Sequence, residues 1–95
     1  MRHDPEQVAQ NIGRRIAELR QERGLTQEEL AVKLKTTFQW VSQVESKTQN
    51  LTVFTLVKLA NVLAVDPVEL FLPVKPENRR VKLGRPKKSG AAKTG

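Results

Sequence analysis

The sequence predicts an all-α fold, a compact bundle of five short helices followed by a basic tail. Apolar residues recur at steps of three and four along the first 72 residues, and a Thr or Asp stands before each predicted helix. The helical pattern ends at Pro73, and Pro76 and Pro86 interrupt any later helix. We therefore expect a domain over residues 1–72 and a tail, residues 73–95, that is largely disordered when free.

The first two helices carry the clearest boundaries. Asp4 and Pro5 begin the first, which should end near Arg23 because Gly24 favours a left-handed helix end. Thr26 and Glu29 have the spacing of a capping box, which predicts a second helix over about 27–34.

The third predicted helix is short, about residues 38–45, with Thr37 as its N-cap. So few residues separate it from the second helix that the two must cross steeply. Val41 and Val44 should point into the core, with Trp40 at its edge. At ~100° per residue, the opposite side presents an uncharged, amide-rich set: Phe38, Gln39, Ser42 and Gln43.

Two more cap signals predict the last helices. Thr52 should cap a fourth helix over about 53–63, and Asp66 should cap a short fifth helix that ends near Phe71. Four apolar residues exceed what the core stripe requires, and they can either complete a small core or form a homodimer interface: Phe54, Val57, Val68 and Leu72.

The charge of the chain is unevenly distributed. The formal net charge is +7, yet residues 1–72 hold nine basic and nine acidic side chains, so residues 73–95 carry the whole excess. A neutral domain with a basic tail indicates a polyanionic partner for the tail, although such tails also serve solubility. There is no cysteine, a single histidine and no long apolar run, which predicts a cytoplasmic protein without a membrane span or a signal peptide.

Taken in order, these blocks resemble the Cro/phage-repressor (XRE) helix-turn-helix family. The resemblance covers about residues 8–71 and rests on five stretches: IGRRIAELR from Ile12, RGLTQEELA from Arg23, VSQVE from Val41, TLVKLA from Thr55 and VELF from Val68. It implies a lambda-repressor-like five-helix bundle whose third helix enters the major groove of double-stranded DNA.

The resemblance also implies site residues. Phe38, Gln39, Ser42 and Gln43 would contact base edges, since glutamine can bind adenine and a phenyl ring can touch a thymine methyl group. Read from the residues alone, Gln39 and Gln43 also fit a solvated surface, and Phe38 also fits the core edge. Contacts to phosphate would come from the following set: Gln27, Lys35, Thr37, Trp40, Lys47, Thr48, Gln49 and Asn50. Arg20 and Glu45 would form a structural ion pair.

The sequence departs from the family at three turns. Lys35, Lys47 and Ala64 stand where the family usually has glycine. A non-glycine residue with positive φ at such a turn would cost ~1 kcal/mol or more, unless the turn is rearranged.

The tail contains a fragment, Leu83 to Lys88, that resembles an AT-hook with leucine in place of its first arginine. Arg85, Lys87 and Lys88 would then contact the minor groove. A nonspecific electrostatic tether to DNA is the alternative, and the missing arginine favours it.

The predicted function is that of a sequence-specific transcription regulator, more often a repressor, bound as a homodimer to a dyad-symmetric operator and associated with the nucleoid. The alternatives are an antitoxin-type module that holds a toxin-like protein, and a nucleoid protein that coats DNA through its tail. No nucleophile–histidine pair, phosphate-binding glycine loop or metal-ligand cluster is evident, which argues against an enzyme and against a cofactor or metal.

Overall fold

The computed structural model of the chain describes residues 2–46 and 50–76. Four α-helices and one 3₁₀ helix occur in these ranges: α1 (Pro5–Glu22), α2 (Gln27–Leu34), α3 (Phe38–Ser46), α4 (Val53–Leu63) and the 3₁₀ helix Pro67–Phe71. The all-α fold and the first four helices are confirmed. No helix in the described ranges is long and apolar enough to cross a membrane.

The helix starts are set by side chains next to them in sequence. The Asp4 carboxylate accepts the Glu6 N–H at 3.0 Å at the start of α1. At α2, the Thr26 hydroxyl accepts the Glu29 N–H at 3.0 Å while the Glu29 carboxylate accepts the Thr26 N–H at 2.9 Å. The Thr37 and Thr52 hydroxyls accept the N–H groups of Trp40 and Thr55 at the starts of α3 and α4. These bonds satisfy amides that have no acceptor within the helix.

Three helices end in the same hydrogen-bonding pattern. After α1, α2 and α4, the chain turns through a left-handed residue, respectively Gly24 (φ 72°), Lys35 (φ 60°) and Ala64 (φ 61°). The next amide then bonds back to a carbonyl five residues earlier, as Thr36 does to Ala31. The turns at Lys35 and Ala64 are therefore not rearranged to avoid positive φ, and both residues carry the steric cost of that conformation.

The core lies between the helices and takes one stripe from each. Ile16, Leu30, Val41, Leu59 and Leu63 are almost fully buried. Leu70 of the 3₁₀ helix closes the core, and Trp40 packs against its edge. These are the apolar positions that the helical periodicity predicts.

The fifth predicted helix is a 3₁₀ helix rather than an α-helix. It spans only five residues, and its bonds join Glu69 N–H to Asp66 C=O and Leu72 N–H to Glu69 C=O. The prediction that the Asp66 side chain caps it is wrong, because that side chain makes no cap hydrogen bond. Pro73 follows two residues after Phe71, so the helical segment is too short to form successive i to i−4 hydrogen bonds.

The folded body continues past the boundary predicted at residue 72. Val74 is half-buried, and the Lys75 backbone N–H donates to the Glu18 carboxylate at 3.1 Å. Most of the predicted tail, residues 77–95, lies outside the described residues.

Candidate nucleic-acid interface

Helix α3 is seated on α1 at very short range. Gly13 of α1 faces the carbonyl oxygen of Val44, and a Cβ atom added to Gly13 would overlap that oxygen. Val41 and Val44 point into the core, with 1 % and 2 % of their surfaces exposed. The inner side of α3 is therefore held against the bundle, which leaves its outer side to the solvent.

A buried ion pair fixes the end of α3. Arg20 donates to Glu45 through two nitrogens, Nε to Oε2 at 2.6 Å and Nη2 to Oε1 at 2.9 Å, and both side chains are excluded from solvent. Arg20 Nη1 also donates to the Leu25 carbonyl at 2.7 Å. This two-pronged geometry matches the planar guanidinium to the carboxylate, and it ties α1 to both α3 and the turn before α2.

Gln27 joins the same network. Its side-chain Nε2 donates to Glu45 Oε1 at 2.9 Å, and only 5 % of the residue is exposed. The side chain that the sequence assigns to a phosphate contact is thus engaged inside the protein. The backbone amides of Gln27 and Glu28, in the first turn of α2, have no acceptor within their helix and are the groups of this turn suited to a phosphate oxygen.

The outer side of α3 presents the four predicted base-contacting residues together. Gln39 and Gln43 are exposed, Ser42 is half-buried, and Phe38 keeps 47 % of its surface exposed. Phe38 therefore lies on the surface, not within the core edge. No charged side chain belongs to this surface, so its hydrogen-bonding capacity comes from amides and a hydroxyl.

Groups that suit phosphates flank this surface. Thr37 directly precedes α3, and its hydroxyl accepts the Trp40 N–H at 3.0 Å and still has its own proton to donate. Lys35, before α3 in the sequence, and Asn50, after it, are both exposed, whereas Trp40 is half-buried against the core. Lys47, Thr48 and Gln49 lie outside the described residues, as do Arg85, Lys87 and Lys88 of the tail.

The four predicted interface residues are all exposed, and the structure adds two more. We call the exposed large apolar residues of α4, of the 3₁₀ helix that packs against it, and of its C-cap the apolar patch: Val53, Phe54, Val57, Val68, Phe71 and Leu72. Phe54 keeps 79 % of its surface exposed. They do not complete the core of a single chain. Exposed apolar surface of this kind is typical of sites of protein–protein contact.

Sequence reasoning missed a second charged cluster, on a different side of α1. Arg15 donates to the carboxylates of both Glu18 and Glu69, and Glu18 also accepts the backbone N–H of Lys75. Arg15 and Glu18 stand three residues apart, a spacing typical of a helical ion pair, but that spacing gives no sign of the long-range partners.

The comparisons with known proteins agree with this geometry. A family profile described as "Helix-turn-helix" matches residues 16–70. The chain is 44 % identical over 62 residues to an uncharacterized HTH-type transcriptional regulator, y4dJ of Sinorhizobium fredii, covering 65 % of this chain and 80 % of that protein.

Solved structures extend the likeness to the fold. The restriction-modification controller protein C.AhdI of Aeromonas hydrophila is 36 % identical, with a TM-score of 0.67 over 73 % of this chain and 100 % of that one. The biofilm master regulator SinR, solved in complex with DNA, is 35 % identical, with a TM-score of 0.58 over 62 % of this chain and 95 % of that one.

The fold and the exposed third helix define a helix-turn-helix protein. The chain belongs to the XRE-type helix-turn-helix family of DNA-binding transcriptional regulators. Members of this family regulate transcription and are not enzymes.

Proposed function

We propose that this regulator reads a specific DNA sequence by placing α3 in the major groove, and that it does so as a homodimer that represses transcription. The observation that carries the proposal is the two-sided α3, whose inner side is locked by Val41, Val44 and Glu45 while its outer side presents four unburied base-reading candidates. The SinR structure, a DNA complex of a related fold, supports this use of the fold.

The chemistry of the outer side favours A·T base pairs. Guanine is read mainly by Arg or Lys, and cytosine by acidic side chains, none of which stands on this surface. Gln39 and Gln43 can each bind adenine with two hydrogen bonds, and Phe38 can contact a thymine methyl group. The half-site should therefore carry A·T pairs where α3 lies deepest in the groove.

Phosphate contacts would hold α3 in register on either side of these bases. The Thr37 hydroxyl, Lys35, Asn50 and the first-turn amides of α2 are the described groups that suit this role. Lys47, Thr48, Gln49 and Trp40 are proposed as further contacts. Glu28 and Glu29 lie in the same first turn of α2, and their negative charges weaken its attraction for a phosphate. Hydrogen bonds from the backbone amides, rather than net charge, would therefore hold a phosphate there.

A second copy of the chain is the proposed occupant of the apolar patch. A twofold axis through a patch brings identical surfaces together, so a self-complementary set such as Phe54, Val57 and Val68 is suited to it. Two recognition helices placed about 34 Å apart would then meet successive turns of a dyad-symmetric operator. A dimer bound over a promoter would exclude RNA polymerase, which is the basis for proposing repression.

Selection of bound fragments from a random DNA pool, at one stated salt concentration, tests the reading of sequence. We expect a dyad-symmetric motif with A·T pairs in each half-site. Gln39→Ala with Gln43→Ala should abolish the preference for the selected duplex over a scrambled one, while Asn61→Ala, an exposed amide on α4, should leave it intact. A preference that survives the double substitution would overturn the proposed reading.

Sedimentation tests the dimer. We expect a dimer at high micromolar concentration that Phe54→Glu converts to a monomer, because a carboxylate would be buried at the axis. Val32→Glu is the matched control, since Val32 is as exposed as Phe54 but lies on α2. A monomer with and without DNA would contradict the proposal, and a stoichiometric complex with a toxin-like protein on the same patch would favour the antitoxin alternative.

A further inference from the structure

Gln27 lies where the second and third helices meet, and its side chain is turned into the protein. Only 5 % of the residue is exposed, and Nε2 donates to Glu45 Oε1 at 2.9 Å. Among the described residues, no other side chain of α2 bonds to α3. This hydrogen bond is therefore the polar link between the first turn of α2 and the end of α3.

The orientation of the Gln27 amide follows from its partner. The Glu45 carboxylate is paired with two nitrogens of Arg20, at 2.6 and 2.9 Å, so it can only accept hydrogen bonds and the amide must turn its nitrogen inward. Oε1 of Gln27 accepts from no described residue, and no buried side-chain nitrogen or oxygen of the described residues lacks a partner. Oε1 therefore reaches the surface. An outward carbonyl oxygen is an acceptor, which does not suit a phosphate oxygen.

The backbone and the side chain of Gln27 serve different surfaces. Its backbone N–H belongs to the first turn of α2, which the proposed function assigns to a phosphate, whereas its side chain holds Glu45. A phosphate bound at this turn and the orientation of α3 are therefore connected through one residue.

A bond on the inner side of α3 affects the base-reading side because the helix turns as one body. At ~100° per residue, Glu45 points about 160° away from Gln43. Side-chain atoms lie roughly 5–6 Å from the helix axis, so a rotation of about 15° moves them by about 1.5 Å. Recognition geometry has to be held to about 0.5 Å, so such a rotation would break paired hydrogen bonds to adenine.

We propose that Gln27 is a positioning residue for sequence reading, whose side chain acts through Glu45 to fix the rotation of α3 and does not itself contact DNA. This inference rests on the proposed function and deepens it, because it assigns the side chain that sets how α3 faces the bases. It replaces the phosphate contact that the family resemblance implies for this side chain, and it leaves the phosphate to the backbone amides.

Competition between the selected duplex and a scrambled duplex tests this role. Gln27→Met keeps the length of the side chain and removes the donor to Glu45. Loss of a phosphate contact weakens binding to all sequences alike, whereas a rotated α3 loses affinity for the selected sequence. We expect Gln27→Met to bind the selected duplex about tenfold more weakly and to keep its Kd for the scrambled duplex within about twofold.

Two matched controls separate positioning from stability and from charge. Glu18→Ala also removes the hydrogen bonds of a buried carboxylate, but on a side of α1 about 160° away from Arg20, and it should keep the discrimination between duplexes. Lys35→Gln removes a proposed phosphate contact and should weaken binding to both duplexes by the same factor. Thermal melting establishes that each variant is folded.

Neutral phosphates distinguish the side chain of Gln27 from its backbone. In a series of selected duplexes, each carries one methylphosphonate, and the positions that weaken wild-type binding mark the phosphates that the protein contacts. Because the proposed role of the side chain involves none of them, the losses of binding free energy from Gln27→Met and from each methylphosphonate should add.

Three results would overturn the proposal. Gln27→Met could weaken both duplexes equally, or its loss could vanish on one methylphosphonate duplex, and either result would make the side chain a phosphate contact. Glu18→Ala could lose as much discrimination, which would attribute the loss to stability alone. Gln27→Met could also discriminate as well as wild type. Wild type would still prefer the selected duplex in all these cases, whereas loss of that preference in wild type would contradict the proposed function itself.

Discussion

The two sides of α1 both bury an arginine–glutamate pair, but they bury it in different surroundings. On the α3 side, Arg20 and Glu45 are closed off completely, and Gln27 and the Leu25 carbonyl take up further bonding capacity. On the other side, Arg15 shares its bonds between Glu18 and Glu69, and 42 % of the Glu69 side chain is exposed. We call the group around Arg20 and Glu45 the closed network and the group around Arg15 and Glu18 the open network. The closed network fixes α3 in one orientation, whereas the open network holds the 3₁₀ helix, which solvent still reaches at Glu69.

The difference predicts that breaking the closed network has the largest effect. Arg20→Ala leaves the buried Glu45 carboxylate with the Gln27 amide as its hydrogen-bond donor among the described residues, and should lower the free energy of unfolding by about 3–5 kcal/mol. Urea denaturation measures this loss, and operator binding should fall with it. Arg14→Ala, an exposed arginine on the same helix, should change stability by less than about 0.5 kcal/mol. Equal stability of the Arg20→Ala and wild-type proteins would refute the structural role of the pair.

The next effect tests how closely α3 approaches the same side of α1. Gly13→Ala places a methyl group on the Val44 carbonyl oxygen, and a backbone atom cannot move aside as a side chain does. We expect a loss of about 3 kcal/mol, near the upper end for overpacking, together with weaker operator discrimination because α3 must shift. Denaturation and competition against scrambled DNA would show both. An alanine variant with wild-type stability would mean that the two helices separate at little cost.

The ion pair of the closed network could be anticipated, and the open network could not. Thr26, Thr37 and Thr52 predict the helix starts because a cap depends on residues three positions apart. The pairing of Arg20 with Glu45 followed from the family resemblance. No local pattern connects Glu18 to Lys75, because that bond depends on where the chain returns 57 residues later. The 3₁₀ helix was not predictable from its local sequence either. Asp66 and Pro67 are typical of the start of an α-helix, but Pro73 and the packing of Leu70 into the core limit the segment to a 3₁₀ helix.

Gln27 is a position whose neighbours the sequence does not reveal. Its place at the start of α2 resembles a family phosphate contact, and the resemblance says nothing of what its amide meets inside the chain. In the structure, the amide bonds to Glu45. The four outer residues of α3 were predictable as a set, because one helical period places them on one side once the core stripe is known.

Breaking the open network should cost less than breaking the closed one. Glu18→Ala removes the Arg15 pair and the Lys75 bond, but Arg15 keeps both bonds to Glu69. We expect a loss of about 2 kcal/mol, in the range of hydrogen bonds to charged groups. Urea denaturation of Glu18→Ala beside Arg20→Ala gives the comparison directly. A larger loss at Glu18 would mean that segment 73–76 contributes more to the fold than the seating of α3.

The smallest effect comes from the turns after α2 and α4, where Lys35 and Ala64 have positive φ. Lys35 precedes α3, and Ala64 follows α4, where Arg23 donates to the Leu63 and Ala64 carbonyls. Both residues have φ near 60°, so glycine at either should raise the free energy of unfolding by about 1 kcal/mol. Lys35→Gly should also lower the slope of log Kd against log salt by about one, as the loss of one phosphate contact would. Lys35→Ala separates the two effects, since it removes the charge and keeps the strain, and Ala64→Gly should leave the salt slope unchanged. If Lys35→Ala stabilised the protein as much as Lys35→Gly, the gain would come from removing the charge and not from relief of the backbone.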